Sequence, residues 1–253
     1  MHILGVPRHE LYLGTPAPAR TALRFRRLVA RSCKGEPAQY LVHSAPFLDF
    51  DVYVDRRVLI PRPETEDLVA RAIARIRSGR KPQAVSRRLS AVDFGTGSGC
   101  MAIALARAVP EMDVLAVDSS KAALAVAARN VSKHGLAERI RLVQADSLSG
   151  PALARLRGRL DLLISNPPYI PTPRLARLDR SVRREPRLAL DGGPKGAKIV
   201  AMLLEHGPFW LRPEGMMAIE IDPTQAAIVR RLAPSAALER DLAGRIRYVF
   251  QTR

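Results

Sequence analysis

Asp93-Phe94-Gly95-Thr96-Gly97-Ser98-Gly99 is the stretch of this chain that decides its fold. The apolar run 89–94 predicts a buried strand, and an apolar helical pattern follows the last glycine to about residue 109. Glycines let the backbone turn tightly and approach a ligand, and the start of the helix presents free N–H groups. This order of strand, glycine turn and helix predicts the ligand-binding edge of a Rossmann-like α/β sheet.

Alternating strand and helix patterns continue beyond this turn. We expect strands at 114–117, 140–143, 160–165 and 216–221, helices at 121–134, 197–211 and 223–232, and a closing hairpin around 246–250. The alternation predicts a mostly parallel sheet whose ligands lie at the carboxyl ends of its strands.

The first third of the chain has a different pattern. Residues 1–35 are expected to form a short helical extension, and residues 39–59 an antiparallel β-hairpin, because apolar and polar side chains alternate over 50–55. An amphipathic helix and a basic, polar linker at 78–88 follow. We therefore divide the chain into an extension (1–35), a hairpin with its connecting helix and linker (36–88), and a cofactor-binding catalytic domain (89–253).

The tetrapeptide Asn166-Pro167-Pro168-Tyr169 follows the strand predicted at 160–165. A planar amino nitrogen is a poor nucleophile, and a site can help it by accepting both of its hydrogens. The side-chain oxygen of Asn166 can take one and the main-chain oxygen of Pro167 the other. Two prolines fix φ and remove competing N–H donors, and Tyr169 offers a flat face. The tetrapeptide alone also suits a rigid turn, but with the glycine loop it indicates methyl transfer to an amide or a base amine.

Two classes of cofactor compete for the glycine loop. A dinucleotide fingerprint needs Gly or Ala where this chain has Cys100, and Gly99 falls one place early. The spacing favours S-adenosylmethionine, which has no pyrophosphate to hold. Asp118 ends the next strand, where a carboxylate can accept both ribose hydroxyls or can simply cap the following helix. Asp146 and Ser147 follow the third strand and are candidates for the adenine edge.

Composition excludes several classes of protein. The chain has 253 residues, 47% of them hydrophobic, enough for one domain with a sizeable core and an extension. No apolar run reaches the roughly 18 residues of a membrane span, and residues 1–13 lack a signal-peptide pattern. Cys33 and Cys100 form neither a disulfide framework nor a metal-ligand spacing. We expect a cytoplasmic monomer without a metal site or membrane contact.

The charge is strongly basic, with 41 Lys and Arg against 24 Asp and Glu and a formal net charge of +17. Such a charge suits a polyanionic partner, such as RNA, a ribosome or an acidic protein, but also a solvated surface rich in arginine. The best candidate for a substrate-facing basic patch follows the tetrapeptide and contains Arg174, Arg177, Arg180, Arg183, Arg184 and Arg187.

Further motifs support a family resemblance. They are Gly35-Glu36-Pro37 with Gln39-Tyr40-Leu41, Val58-Leu59-Ile60-Pro61-Arg62-Pro63-Glu64-Thr65-Glu66, and Glu185-Pro186-Arg187-Leu188-Ala189-Leu190-Asp191-Gly192-Gly193. With the glycine loop and the tetrapeptide, residues 35–253 resemble the HemK-type protein glutamine methyltransferases, most of all the peptide chain release factor glutamine N5-methyltransferases. The tetrapeptide is shared with adenine and cytosine methyltransferases of nucleic acids. The Pro-Arg-Pro-Glu block is more specific, because the enzymes that act on a ribosomal protein carry Arg-Ser-Pro there.

The resemblance implies a seven-stranded class I methyltransferase fold and a class 1 release factor as substrate, methylated on the glutamine of its Gly-Gly-Gln loop. It implies that residues 95–99 and Asp118 bind S-adenosylmethionine, that Ser147 lies by the adenine, and that residues 166–169 hold the glutamine. Arg62, Glu64 and Thr65 are expected to line the pocket, although the last two also suit a helix start.

This sequence departs from the family pattern in three places, which bear on the choice of protein partner more than on the methyl-transfer chemistry. The N-terminal extension is short for the family, Asp222 follows Glu220-Ile221 where the family usually has glycine, and Lys195 replaces an acidic residue. The alternatives are a nucleic acid amino-methyltransferase, a ribosomal-protein glutamine methyltransferase, and a non-catalytic RNA- or ribosome-binding protein with the same fold.

Overall fold

The computed structural model describes residues 19–79 and 87–253. The strands in this part of the chain are β1 (Ala45–Phe47), β2 (Phe50–Val52), β3 (Leu89–Phe94), β4 (Met112–Asp118), β5 (Ile140–Gln144), β6 (Leu160–Ser165), β7 (Leu211–Glu220), β8 (Ala237–Arg240) and β9 (Ile246–Thr252). The helices are α1 (Ala19–Cys33), α2 (Ala38–Val42), α3 (Pro63–Ser78), α4 (Cys100–Ala108), α5 (Lys121–Lys133), α6 (Pro151–Ala154), α7 (Lys198–His206) and α8 (Ala226–Leu232). No helix in these two ranges is long and apolar enough to cross a membrane.

Seven strands form one mixed sheet in the order β5-β4-β3-β6-β7-β9-β8. The neighbouring strands β5, β4, β3, β6 and β7 run parallel to one another, whereas β9 runs antiparallel to both β7 and β8. The predicted seven-stranded Rossmann-like fold is therefore confirmed. Since β3 lies between β4 and β6, the carboxyl ends of these three strands meet at one edge, where both sequence motifs lie.

The alternation of side chains along the strands builds two apolar layers. On β6, Leu162 and Ile164 pack in one layer, with the hairpin, α3, α4 and α5, while Leu163 packs in the other, with α6, α7 and α8. The first layer runs without a break from the hairpin to the sheet. The hairpin and α3 are thereby fixed to the sheet edge that carries the motifs. The division into 1–35, 36–88 and 89–253 stays a prediction, and its linker lies largely outside the described residues.

Two element predictions were wrong in part. The helix predicted over 197–211 ends at His206, because Gly207 and Pro208 open a 3₁₀ turn, and Leu211 already begins β7. The pattern predicted as strand from residue 39 begins with helix α2, which starts after Pro37 and buries Tyr40. The hydroxyl of Tyr40 donates to the main-chain oxygen of Val58 at 2.5 Å, a tertiary contact that holds this helix against the segment after the hairpin.

Candidate active site

The glycine loop is held by the end of β4. The N–H groups of Gly95 and Thr96 both donate to the main-chain oxygen of Val117 at 2.8 Å. Gly95 and Gly97 have positive φ, at 78° and 55°, and a Cβ added at Gly95 would meet no atom within 4 Å. These two glycines thus face open space in front of helix α4. Gly99 differs, because a Cβ there would lie 3.3 Å from the Cβ of Ala127 on α5.

Asp93 supports the loop from beneath. Its Oδ2 accepts hydrogen bonds from the hydroxyl of Thr96 at 2.6 Å and from the N–H of Ala102 at 3.1 Å. Its Oδ1 is buried and has no hydrogen-bond partner among the described residues. Burial raises the pKa of this carboxyl to about 7. A buried oxygen without a donor, beside an open glycine turn, fits a ligand with an ammonium group such as the methionine end of S-adenosylmethionine.

Asp118 ends β4 and faces the loop. Its Oδ2 accepts from the N–H of Gly97 and its Oδ1 from the N–H of Ser120, each at 2.9 Å. The cap of α5 is Ser120, not Asp118, because the Ser120 hydroxyl accepts from the N–H of Ala123. Burial raises the pKa of Asp118. Each carboxylate oxygen keeps a second lone pair, so the residue can both order the loop and accept ribose hydroxyls.

Asp146 and Ser147 lie just beyond the end of β5, on the far side of Asp118. The link is the N–H of Ala145, which donates to the main-chain oxygen of Asp118 at 3.1 Å. Asp146 is exposed and Ser147 half-buried. The structure thus brings both residues to the edge that carries the loop, and their role at an adenine stays a prediction.

Asn166 is held by a residue from another part of the chain. Its side-chain Nδ2 donates to the hydroxyl oxygen of Thr65 at 2.8 Å, and the Thr65 hydroxyl donates to Oε2 of Glu220 at 2.7 Å. The hydroxyl of Tyr169 lies 3.4 Å from Oε1 of the same carboxyl. Thr65 lies in the first turn of α3 and Glu220 at the end of β7, and both are buried. Thr65 therefore does more than start a helix.

Two oxygens of the tetrapeptide are left for a ligand. In the described part of the chain, no donor bonds to Oδ1 of Asn166 or to the main-chain oxygen of Pro167. Asn166 is half-buried, as is Tyr169. Pro167 itself is buried. Two acceptors without donors, close in sequence to an aromatic residue, are the groups that a planar –NH₂ group needs.

A glycine-rich segment supports the tetrapeptide from behind. Ile170 pairs with Asp191 in an isolated parallel bridge. A Cβ added at Gly192 would lie 2.7 Å from the main-chain oxygen of Pro168, and one at Gly196 would lie 2.4 Å from that of Tyr169. Only glycine allows these approaches, which gives a structural reason for Gly192 of the Asp-Gly-Gly motif and for Gly196 beyond it.

The start of α3 is held by a second buried carboxylate. Glu185 is 5% exposed, and it accepts from the N–H of Ile60 at 3.0 Å and from the Arg62 guanidinium. This contact joins the segment before α3 to the arginine-rich segment 174–187. Arg62 thus holds Glu185, and 32% of its own side chain is exposed; its place in the wall of the pocket stays a prediction.

Sequence reasoning missed three residues that order the site. Glu220 and Glu185 were noted only within motifs, and Asn130 was not noted at all. Asn130 is fully buried; its Nδ2 donates to the main-chain oxygens of Ser98 and Tyr53, both at 2.9 Å, which ties the glycine loop to the hairpin. An acidic residue closing the apolar strand 216–221 was a usable signal for Glu220. Nothing in the local pattern of α5 distinguishes Asn130.

Comparisons with known proteins agree with the fold. The chain matches a family model described as methyltransferase small domain over residues 82–175 and one described as PrmC N-terminal domain over residues 1–42. The second match extends the family likeness to residues before 35. A solved methyltransferase from Pyrococcus furiosus has a TM-score of 0.55 and 17% identity, covering 93% of this chain and 98% of its own, which shows the fold. The chain is a class I S-adenosylmethionine-dependent methyltransferase.

Two curated relatives define the family more closely. The release factor glutamine methyltransferase of Chlorobaculum tepidum is 42% identical over 93% of this chain and 80% of its own length. That of Moorella thermoacetica is 42% identical over 91% of this chain and 80% of its own. The chain belongs to the release factor glutamine methyltransferase family.

Proposed function

We propose that this protein transfers a methyl group to the side-chain amide nitrogen of the glutamine in the Gly-Gly-Gln loop of class 1 release factors, and so modulates translation termination. The observation that carries the proposal is the pair of acceptors without donors, Oδ1 of Asn166 and the main-chain oxygen of Pro167, beside Tyr169. The names of the curated relatives support the same substrate.

The cofactor residues are assigned by the same reasoning. Residues Gly95, Thr96, Gly97, Ser98 and Gly99 leave room for S-adenosylmethionine, which supplies an electrophilic methyl group when bound. Asp93 offers its free Oδ1 to an ammonium group, and Asp118 offers the outer lone pairs of its carboxylate to ribose hydroxyls. Asp146 and Ser147 lie beyond Asp118, where the base would follow the ribose.

The tetrapeptide acts mainly by orientation. Asn166 and Pro167 each accept one hydrogen of the glutamine amide, and Tyr169 packs against its plane, which directs the nitrogen lone pair at the methyl group. Well-held reacting groups can supply roughly 7–11 kcal/mol. The same two oxygens stabilise the positive charge that grows on nitrogen. The cationic amide loses its proton readily, so no strong base is needed before transfer.

We further propose that the arginine segment 174–187 meets an acidic surface of the release factor or of a ribosome-associated partner. All six arginines are exposed, and in the described residues only Arg187 pairs with a carboxylate, that of Asp191 at 3.2 Å. The segment is linked to the pocket through Glu185 and Arg62. We propose a monomer in the cytoplasm; both cysteines are free thiols, as a reducing compartment requires.

A methyl-transfer assay with labelled cofactor tests the function directly. Release factor, DNA and ribosomes are offered in parallel to the same preparation. We expect label in the release factor, lost when its Gly-Gly-Gln is changed to Gly-Gly-Glu. Label in DNA but not in the release factor would favour a nucleic acid amino-methyltransferase, and label in a ribosomal protein alone would favour the ribosomal branch.

A further inference from the structure

The buried carboxyl of Glu220 lies at the end of a hydrogen-bond chain that leads to Asn166. Glu220 is 1% exposed, and among the described residues its only hydrogen-bond donors are the hydroxyls of Thr65 at 2.7 Å and Tyr169 at 3.4 Å. Arg247, whose charge acts on this carboxyl, is engaged by Asp241 and by the main-chain oxygen of Ile221. A buried carboxyl with no ion pair is costly to the fold, which suggests that it has a task at the site.

The donor-to-acceptor direction of these hydrogen bonds decides which atom of the Asn166 carboxamide points towards the substrate. An ionised carboxylate can only accept, so the Thr65 hydroxyl must donate to Glu220 and use its oxygen to accept from Nδ2 of Asn166. Oδ1 of Asn166 then faces the substrate. If the chain ran the other way, Thr65 would donate to Oδ1 and the –NH₂ of Asn166 would face the –NH₂ of the glutamine, donor against donor.

We propose that Glu220 is a positioning residue that, through Thr65, holds the carboxamide of Asn166 with its oxygen towards the glutamine amide. This inference rests on the proposed function and adds to it a residue outside the tetrapeptide. Glu220 does not touch the reacting atoms. Its effect on Asn166 passes through the Thr65 hydroxyl and is separate from its longer contact with the Tyr169 hydroxyl, so removing the Thr65 hydroxyl must also remove the effect on Asn166.

The protonation state of Glu220 decides whether one or both directions of the hydrogen-bond chain are populated. Burial raises the pKa of Glu220 to about 7, opposed by the Thr65 hydrogen bond and by Arg247 of β9, and aided by Glu64 of α3. Tyr169, beyond β6, and Tyr248 of β9 also face the carboxyl. A protonated carboxyl can donate to Thr65 as well as accept from it, so both directions of the chain become available below this pKa.

Substitutions at position 220 separate these states. Glu220→Gln can accept or donate and imitates the protonated form, so we expect about half of the molecules to hold Asn166 correctly and kcat to fall about twofold. Glu220→Met leaves the Thr65 hydroxyl only Asn166 as acceptor. The original direction then leaves the buried Thr65 hydroxyl hydrogen without an acceptor, whereas the reversed direction pairs it with Oδ1 of Asn166, so kcat should fall about tenfold with cofactor affinity unchanged. Glu205→Gln removes an exposed carboxylate on α7 and is the matched control.

The deciding experiment is a double-mutant cycle with Thr65→Val, using a release factor fragment with Gly-Gly-Gln as substrate. We expect Glu220→Met to change kcat less than about twofold in the Thr65→Val background. The acid limb of the wild-type kcat profile, near pH 7, should be absent in Glu220→Gln. Unchanged kcat in Glu220→Met, or an equal loss in both backgrounds, would overturn the inference while leaving the proposed function intact.

If no glutamine peptide is methylated, that result counts against the proposed function alone. A spectroscopic measurement still tests the role of Glu220 in that case. In ¹⁵N-labelled protein, the side-chain amide signals of Asn166 should shift as Glu220 titrates, and should be displaced in Glu220→Met. Asn166 signals that respond to neither change would refute the chain from Glu220.

Discussion

The hydroxyl of Ser165 donates a hydrogen bond to the main-chain oxygen of Phe94 at 2.7 Å. Both residues are buried, and each is the last of its strand, β6 and β3. The glycine loop begins directly after Phe94, and the tetrapeptide begins directly after Ser165. This side-chain contact therefore joins the start of the glycine loop to the start of the tetrapeptide, in addition to the ladder that pairs β3 with β6.

Ser165→Ala removes this contact and leaves a buried carbonyl without its donor. We expect a loss of about 1–3 kcal/mol in the free energy of unfolding, and a fall in kcat larger than the rise in the cofactor Kd. Urea unfolding and steady-state kinetics measure both effects. Ser149→Ala, at an exposed position, is the control. A stable variant with full turnover would show that the two strand ends keep their spacing without the hydroxyl.

Asp118 has two roles that one variant pair can separate. Asp118→Ala should weaken S-adenosylmethionine binding by about 1.5–3 kcal/mol, the range for hydrogen bonds to a charged group. Asp118→Asn keeps one acceptor oxygen and should lose less. Calorimetry measures both, with the exposed Asp179→Ala as control. Unchanged affinity in a folded Asp118→Ala protein would remove this carboxylate from the cofactor site.

The sequence predicted the sheet, the glycine loop, Asp118 and the tetrapeptide because these features are local. Each needs only a strand, a turn residue and the first turn of a helix. Glu220, Asn130 and Glu185 were missed as site residues because their partners lie far along the chain: Glu220 bonds to Thr65, and Glu185 to Arg62. Such contacts follow from the three-dimensional packing of the hairpin and α3 on the sheet, which no local pattern encodes.

The stability of the cofactor-free protein should fall as the pH rises. Burial raises the pKa of both Asp93 and Glu220 to about 7. A carboxyl whose folded pKa is raised stabilises the fold fully below its unfolded pKa, and this stability is lost as the pH rises through the folded value. We expect Glu220→Gln to gain in Tm over the wild type between about pH 5 and pH 8. A constant Tm difference across this range would show that Glu220 does not titrate there.

The arginine segment 174–187 should make protein substrate binding sensitive to salt. Raising ionic strength should raise KM for the release factor more than KM for the cofactor, because exposed charges are screened. Arg183→Gln with Arg184→Gln should reduce this salt dependence. The matched control is Arg230→Gln with Arg231→Gln, an exposed pair on α8. Equal effects of the two pairs would mean that only net charge matters, and a salt-independent KM would leave the segment as a solvated surface.

Asn166 should be needed for methyl transfer and much less for cofactor binding. Asn166→Ala removes the acceptor that we place towards the substrate, and the Thr65 hydroxyl oxygen loses its donor while it still donates to Glu220. Loss of a preorganised polar partner costs on the order of a hundredfold in turnover, whereas the glycine loop and Asp118 still hold the cofactor. Asn166→Asp keeps an acceptor but places a carboxylate beside Glu220, so we expect impairment here too.

Single-turnover kinetics on a Gly-Gly-Gln fragment measure methyl transfer, with a Gly-Gly-Glu fragment as the blank. Calorimetry measures cofactor binding, so the two effects of each Asn166 variant are separated. Near-normal turnover in Asn166→Ala, or equal methylation of the blank, would refute the glutamine-amide mechanism.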